Sequence, residues 1–281
     1  MKVAITGATG FVGRHVLAEL ETRSVESIAL LRPSRTKALE HLRCSVVQFD
    51  LHNAPTNAFE LMGCPDVVIH LAWSGLPNYS SLHHFEQELP AQYRFLKNLI
   101  ESGLQTLVVT GTCAEYGMQP GMLSEDMAGC PCNSYGFAKD TLRRQLEYLK
   151  DVHPFQLTWT RLFYLYGEGE RESALLPQLR SAVERNDQFF NMSGGEQCRD
   201  YLPVAEVARH LVSLALAEKD IGVVNICSGI PISVRKLVEG WIKENGWSIR
   251  LNLGHYPYPD YEPMAFWGDP QKLSSLIGED T

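Results

Sequence analysis

Short apolar runs and longer amphipathic stretches alternate along the first two thirds of the chain. Lys2–Thr6, Ser27–Leu31, Ser45–Phe49, Asp66–His70, Leu104–Thr110 and Phe155–Thr160 are compact runs rich in Val, Ile, Leu and Thr, and they predict strands. Between them, Phe11–Leu20 sets Phe11, Val12, Val16, Leu17 and Leu20 near one face of a predicted helix. Thr36–Arg43, Leu82–Ser102 and Ser134–Lys150 predict three more helices. Runs without any polar alternation, such as Val67-Val68-Ile69 and Leu107-Val108-Val109, suit strands covered on both faces. Strand–helix alternation of this kind implies an α/β fold around a parallel, doubly wound sheet with right-handed crossovers.

After about Arg161 the texture loosens. Gly and Pro gather around Gly167–Gly169 and Gly194–Gly195, and the segment Tyr256–Trp267 is dense in Tyr, Pro, Phe and Trp. A helix at Val204–Leu216 and a strand at Val223–Ile226 are expected to return to the sheet. With no internal repeat and no low-complexity linker, the second region reads as an elaboration on the carboxyl edge of the sheet. The 281 residues suit one large domain or two intimate ones.

Composition removes several function classes. A hydrophobic content of 44% with 21% charged residues excludes a mostly disordered chain. The net charge is −8 with no basic stripe, which argues against a nucleic-acid partner. No apolar run approaches the ~18 residues of a membrane span, and Met1 leads straight into a strand-like run without a signal-peptide pattern. The seven cysteines are scattered, with neither a C-x-x-C pair nor zinc-ligand spacing. These features predict a cytoplasmic protein with free thiols and no structural metal.

The first chemical signal is the turn Thr6-Gly7-Ala8-Thr9-Gly10-Phe11-Val12-Gly13, between the first strand and the first helix. Glycine allows the tight turn, lets backbone approach a pyrophosphate and permits close helix–sheet contact. The helix N-terminus offers amides and a positive dipole end to the anion. This predicts a dinucleotide held by Gly7, Thr9, Gly10, Phe11, Val12 and Gly13. The end of the second strand lacks an acid for a ribose 2′-hydroxyl and carries Arg32, Ser34 and Arg35, which favours NADP over NAD. Asp50 and Leu51 follow the third strand, where the adenine would lie. Leu71, Ala72 and Trp73 follow the fourth, where the middle of the cofactor would pass.

The second signal is Tyr135 with Lys139, four residues apart on one helix face. A free tyrosine, with a pKa of about 10, is a poor acid or base at neutral pH, and a nearby ammonium stabilises its phenolate. Tyr93 and Lys97 repeat the spacing, but they lie well along their helix, away from the carboxyl edge where ligands bind, and are expected to pack. Thr112 follows the fifth strand at that edge and could orient a substrate oxygen.

The glycines, Thr112 four residues before Tyr116-Gly117, Tyr135 with Lys139, and Arg199-Asp200-Tyr201 together resemble the extended short-chain dehydrogenases/reductases, in the nucleotide-sugar epimerase, dehydratase and reductase branch. The resemblance covers nearly the whole chain. It implies a Rossmann-type sheet in 1–162 with 203–226, and a smaller C-terminal substrate domain in 163–202 with 227–281. It implies Tyr135 as acid/base, Lys139 as its electrostatic partner and ribose ligand, Thr112 as the orienting hydroxyl, and Arg199 on the diphosphate of a nucleotide sugar. A homodimer built on the helices Leu82–Ser102 and Ser134–Lys150 is implied as well.

Departures from the branch narrow the reaction. The 4,6-dehydratases carry Asp-Glu directly after the threonine; here Cys113-Ala114 stands there, which argues against dehydration. Glu115 comes one place later and reads either as a substrate ligand or as a solvated loop carboxylate. Cys113 invites an epimerase–reductase acid–base role, although its offset from Thr112 differs from that group's cysteine. Where relatives often carry Asn, three residues after the arginine that follows the sixth strand, this chain has Tyr164, a further expected substrate contact. Tyr256, Tyr258, Tyr261, Phe266 and Trp267 either wall a pocket or pack a small domain. His83, His84 and His255 read as surface or packing residues. The expectation is an NADPH-dependent 4-ketoreductase of a nucleotide-linked 4-keto-6-deoxyhexose. Alternatives are an NAD-retaining C4 epimerase and a non-catalytic NADP sensor.

Overall fold

The computed structural model describes residues 1–33, 43–258 and 260–278. Its main sheet holds seven parallel strands in the spatial order Gly222–Ile226, Gln156–Leu162, Thr106–Thr112, Val67–His70, Lys2–Thr6, Glu26–Leu31 and Ser45–Gln48. The chain builds outward from Lys2–Thr6 to Ser45–Gln48, then crosses back and builds the other way from Val67–His70. That reversal leaves a crevice at the carboxyl ends of the first and fourth strands, where sheets of this kind bind ligands. The Rossmann-type α/β fold is what the strand–helix alternation implied.

The uniformly apolar strands are explained by the two helical layers they meet. Leu107 and Val109 face one core with Leu96, Leu99, Leu142 and Leu146, from the helices Leu89–Glu101 and Ser134–Lys150. Val108 faces the other, with Val16, Leu17, Val207 and Leu211 from Phe11–Thr22 and Val204–Leu216. A strand repeats every two residues, so burial on both sides leaves no polar position.

Several boundaries differ from expectation. The strand predicted at Leu104–Thr110 runs Thr106–Thr112, and that at Phe155–Thr160 runs Gln156–Leu162. They pair with each other as far as Thr112 opposite Leu162, so partnership rather than composition sets their ends. The helix predicted at Leu82–Ser102 is a π-helical turn, His84–Glu88, leading into Leu89–Glu101. Pro90 has no amide to donate and fits only the first turn of a helix, so the α-helical ladder starts afresh there. The predicted helix Thr36–Arg43 lies almost wholly outside the described residues. Tyr93 packs against the core as expected.

The second region is more regular than its sequence suggested. Helices Leu175–Glu184 and Val234–Asn245 enclose a core of Leu179, Phe190, Val238, Trp241 and Ile249. A small sheet orders Pro231–Ser233, Cys198–Pro203 and Tyr164–Tyr166, and Phe266–Gly268 pairs with Gly121–Leu123. All seven cysteines are free. Among the described residues no helix is long and apolar enough to cross a membrane. Leu99 is wholly buried, so Leu99→Ala is expected to cost about 2–5 kcal/mol, read as a lower urea midpoint with an unchanged slope.

Candidate active site

The glycine turn shapes the floor of the crevice. Gly7 has a φ of +70°, and a Cβ there would lie 2.8 Å from the Ala72 nitrogen. A Cβ on Gly13 would collide with the Gly7 carbonyl. Gly10 donates its amide to the Gly7 carbonyl at 2.9 Å and caps Phe11–Thr22 without a side-chain acceptor. The opening amides of that helix are therefore offered to the crevice. Thr6 fixes the opposite wall: its hydroxyl oxygen accepts from Leu71 and Ala72 amides at 3.2 Å, and its proton goes to His70 Nδ1 at 2.9 Å. Burial pushes His70 down to about 3, which keeps it neutral.

Two adjoining cavities open here. The first, about 250 Å³, is lined by Gly7, Thr9, Gly10, Arg32, Asp50, Leu51, Leu71, Ala72 and Trp73 from the expected set, together with His52, Ser74 and Glu88. Arg32 is exposed on its rim. Ser34 and Arg35 lie outside the described residues. The second cavity, about 500 Å³, shares Gly7, Gly10, Leu71 and Trp73 and adds Phe11, Val12, Gly13, Thr112, Cys113 and Tyr164.

Tyr135 and Lys139 stand behind Trp73, which lines both cavities. Asn133 caps their helix by accepting the Gly136 amide at 2.8 Å, which starts the helix just short of Tyr135. Both side chains are buried. Lys139 Nζ donates to the Thr110 carbonyl at 2.8 Å and lies 4.1 Å from the centre of the Trp73 ring. Desolvation lowers it to about 7, against the pull of Glu115 and Glu88. Tyr135 is boxed by Trp73, Tyr79 and His84, with ring centres 5.3–6.1 Å away. Burial raises its phenol above the ordinary value, Tyr79, Glu115 and Cys113 raise it further, and a bond to the Thr112 hydroxyl opposes them. Desolvation therefore favours the neutral phenol at Tyr135. Burial pushes the Cys113 thiol up to about 12, so it is neutral too.

Glu115 is neither a substrate ligand nor a solvated carboxylate. It is fully buried beneath the cavity floor. Its oxygens accept from Arg161 Nε at 2.8 Å, the Thr112 amide at 2.8 Å and the Trp159 indole at 3.0 Å. Burial raises its carboxyl and Arg161 pulls it back. The Thr112 hydroxyl accepts the Ala114 amide, which completes a reciprocal cap on the turn Cys113–Tyr116. Thr112 is thus set from below by a buried ion pair.

Arg199 is not a surface arginine either, being 2% exposed. Its guanidinium lies 4.5 Å from the Phe266 ring centre, donates to the Cys198 carbonyl at 2.8 Å and meets Glu262 at 2.9 Å. Tyr164 donates its hydroxyl to the other Glu262 oxygen. Glu262, Tyr261 and the exposed Arg171 line the second cavity. Asp200 lies deeper and accepts amides from Ser228, Gly229 and Gly268. The aromatic segment therefore divides: Tyr261 walls the cavity, Phe266 packs under Arg199, and Tyr258 bonds Glu196 at the surface.

A model of the NAD dependent epimerase/dehydratase family matches residues 3–227. The chain belongs to that family. It is similar to the dTDP-6-deoxy-L-talose 4-dehydrogenase (NAD(+)) of Aggregatibacter actinomycetemcomitans, with 27% identity over 95% of this chain and 99% of the relative. It is also similar to the dTDP-4-dehydro-6-deoxyglucose reductase of Escherichia coli, with 25% identity over 84% of this chain and 79% of the relative. The solved complex of MoeE5 with UDP-glucuronic acid and NAD superposes with a TM-score of 0.83 and 25% identity over 99% of this chain and 93% of that one. Membership makes the chain an NAD(P)-dependent enzyme of the epimerase, dehydrogenase and reductase group.

Against this family background, three residues of the site carry no local sequence signal. His84, expected at the surface or in packing, is fully buried and accepts the Trp73 indole proton. Glu262 reaches Arg199 across 63 residues. Glu88 is a fully buried carboxylate held by Ser74, Gln92 and His52 beside the first cavity. Only a helix-face reading of His84 and Glu88, four apart and both turned inward, could have singled them out. Replacing Arg161 by Met would leave Glu115 buried without its cation. Urea unfolding should show a loss of about 3–5 kcal/mol, partly recovered by adding Glu115→Gln.

Proposed function

We propose that the protein is an NADPH-dependent reductase of the 4-keto group of a nucleotide-linked 4-keto-6-deoxyhexose. The observation that carries this reading is the arrangement at the crevice, where the buried Tyr135 packs against Trp73 and Tyr79, Thr112 lines the second cavity and no Asp-Glu pair follows it. Reduction of a ketone needs a proton donor for the oxygen at the carbonyl carbon, and a neutral buried phenol is one. An alcohol oxidation would instead need the phenolate as its base.

The crevice fits a dinucleotide. The backbone around Gly7 and Gly13 leaves no room for a Cβ, and the unencumbered start of Phe11–Thr22 suits a pyrophosphate. Arg32, on the rim of the first cavity, supports NADPH over NADH. When bound, the nicotinamide supplies the hydride for the sugar carbon. Thr112 holds the ketone oxygen, Tyr135 gives it a proton, and Lys139 stabilises the phenolate that remains. Arg171, exposed on the wall of the second cavity, offers a cation to the diphosphate of a nucleotide sugar, and the buried Arg199 lies behind that wall in its pair with Glu262. With Cys113-Ala114 in place of an Asp-Glu pair, the chain lacks the acids for a 4,6-dehydration. We assign 1–162 with 203–226 to the cofactor and 163–202 with 227–281 to the substrate. Phe137 and Tyr148, exposed on Ser134–Lys150, suit a homodimer face.

A C4 epimerase would use the same Tyr135 in both directions and would keep its nicotinamide bound. Replacing Tyr135 by Phe separates chemistry from binding. Turnover should fall by at least about 10²-fold, while NADPH fluorescence titration gives an unchanged Kd. Full turnover in Tyr135→Phe would remove the phenol from the mechanism.

A further inference from the structure

We propose that Trp73 is a positioning residue for Lys139, its indole face taking the place of a carboxylate partner for the buried ammonium. The inference rests on reading Lys139 as the electrostatic partner of Tyr135. Lys139 is 2% exposed, and its one hydrogen bond goes to the Thr110 carbonyl. Among the described residues no carboxylate lies within ion-pair distance of it. The indole lies 4.1 Å away, and its π face attracts a cation most strongly where water is excluded.

The ring is also held. Trp73 donates its Nε1 proton to His84 Nδ1 at 3.1 Å, and His84 Nε2 donates in turn to the Asn78 carbonyl at 2.8 Å. The two rings stack with an interplanar angle of 25°. The bond to His84 and the stacking together fix the plane of the indole. Because Trp73 lines both cavities, the charge it holds stands behind the wall that they share.

The titratable groups facing Lys139 are Tyr135 on its own helix, His70 on the strand Val67–His70, His84 and Glu88 on the π turn, and Glu115 on the turn Cys113–Tyr116. Losing the indole removes a stabiliser of the charged form, so the ammonium should deprotonate at lower pH. The phenolate left when Tyr135 gives up its proton needs a charged Lys139. Activity is therefore lost as pH rises through the lysine's titration, and without the indole that loss begins earlier.

The test uses Trp73→Leu and Trp73→Phe. The Lys139 titration is followed by NMR of ¹³C-labelled lysine in the purified protein without substrate, and the signal is assigned by its disappearance in Lys139→Met. The midpoint in Trp73→Leu should fall by about one pH unit. The alkaline limb of the reductase pH profile should move with it, with activity at pH 7 reduced about fivefold. Trp73→Phe, with a weaker π face, should move both in the same direction by less. An unmoved midpoint in a folded Trp73→Leu overturns the proposal. If that variant fails to fold, an unmoved midpoint in Trp73→Phe does so. If the wild type reduces no nucleotide sugar, the NMR midpoint still decides the role of Trp73, so failure of the reductase reading stays distinguishable from failure of this one.

Discussion

A cation held out of water with a carbonyl and an indole for neighbours is the constraint on which this site depends. Lys139 sits one turn along the helix that bears Tyr135, and desolvation acts on the two in opposite directions. It favours the neutral phenol and it favours the neutral amine. The site thereby holds Tyr135 protonated, and a phenolate there would depend on the lysine's charge. A solvated Tyr–Lys pair at the same helical spacing would have neither property.

The rest of the fold serves this arrangement. The pairing of Thr106–Thr112 with Gln156–Leu162 carries Thr112 beyond the end of its other neighbour, Val67–His70. The buried Glu115–Arg161 pair fixes the turn that follows. A buried ion pair is weak evidence of added stability, because desolvation cancels much of its attraction. Its value here is positional: Glu115 accepts the Thr112 amide and thereby sets the backbone that carries the hydroxyl. Asp200 does similar work on the other side, gathering the amides of Ser228, Gly229 and Gly268 so that the segment bearing Glu262 runs past Arg199.

What could be read beforehand divides along physical lines. The glycine turn, the helix of Tyr135 and Lys139, and the strand that delivers Thr112 are local patterns, and they were legible in the residues themselves. The apolar runs likewise foretold a sheet covered on both faces. Glu115 was not legible, because its burial depends on Trp159 and Arg161, more than forty residues away. Arg199 looked like a free phosphate ligand, because nothing near it in sequence announces Glu262. His84 sat in an unremarkable pair of histidines, and only the π turn before Pro90 swings it under Tyr135. Helices Leu175–Glu184 and Val234–Asn245 were obscured by the Gly and Pro around them.

The central claim is that Tyr135 serves a net reduction with an exchanging cofactor. The most direct measurement mixes purified protein with NADPH, and separately with NADH, and a panel of nucleotide-linked 4-keto-6-deoxyhexoses, and follows the absorbance of the reduced nicotinamide. Loss of NADPH in step with the formation of one 4-hydroxy sugar, faster than with NADH, is the expected result. No loss with any sugar, together with nicotinamide released on denaturing the protein, would contradict the claim and favour an epimerase.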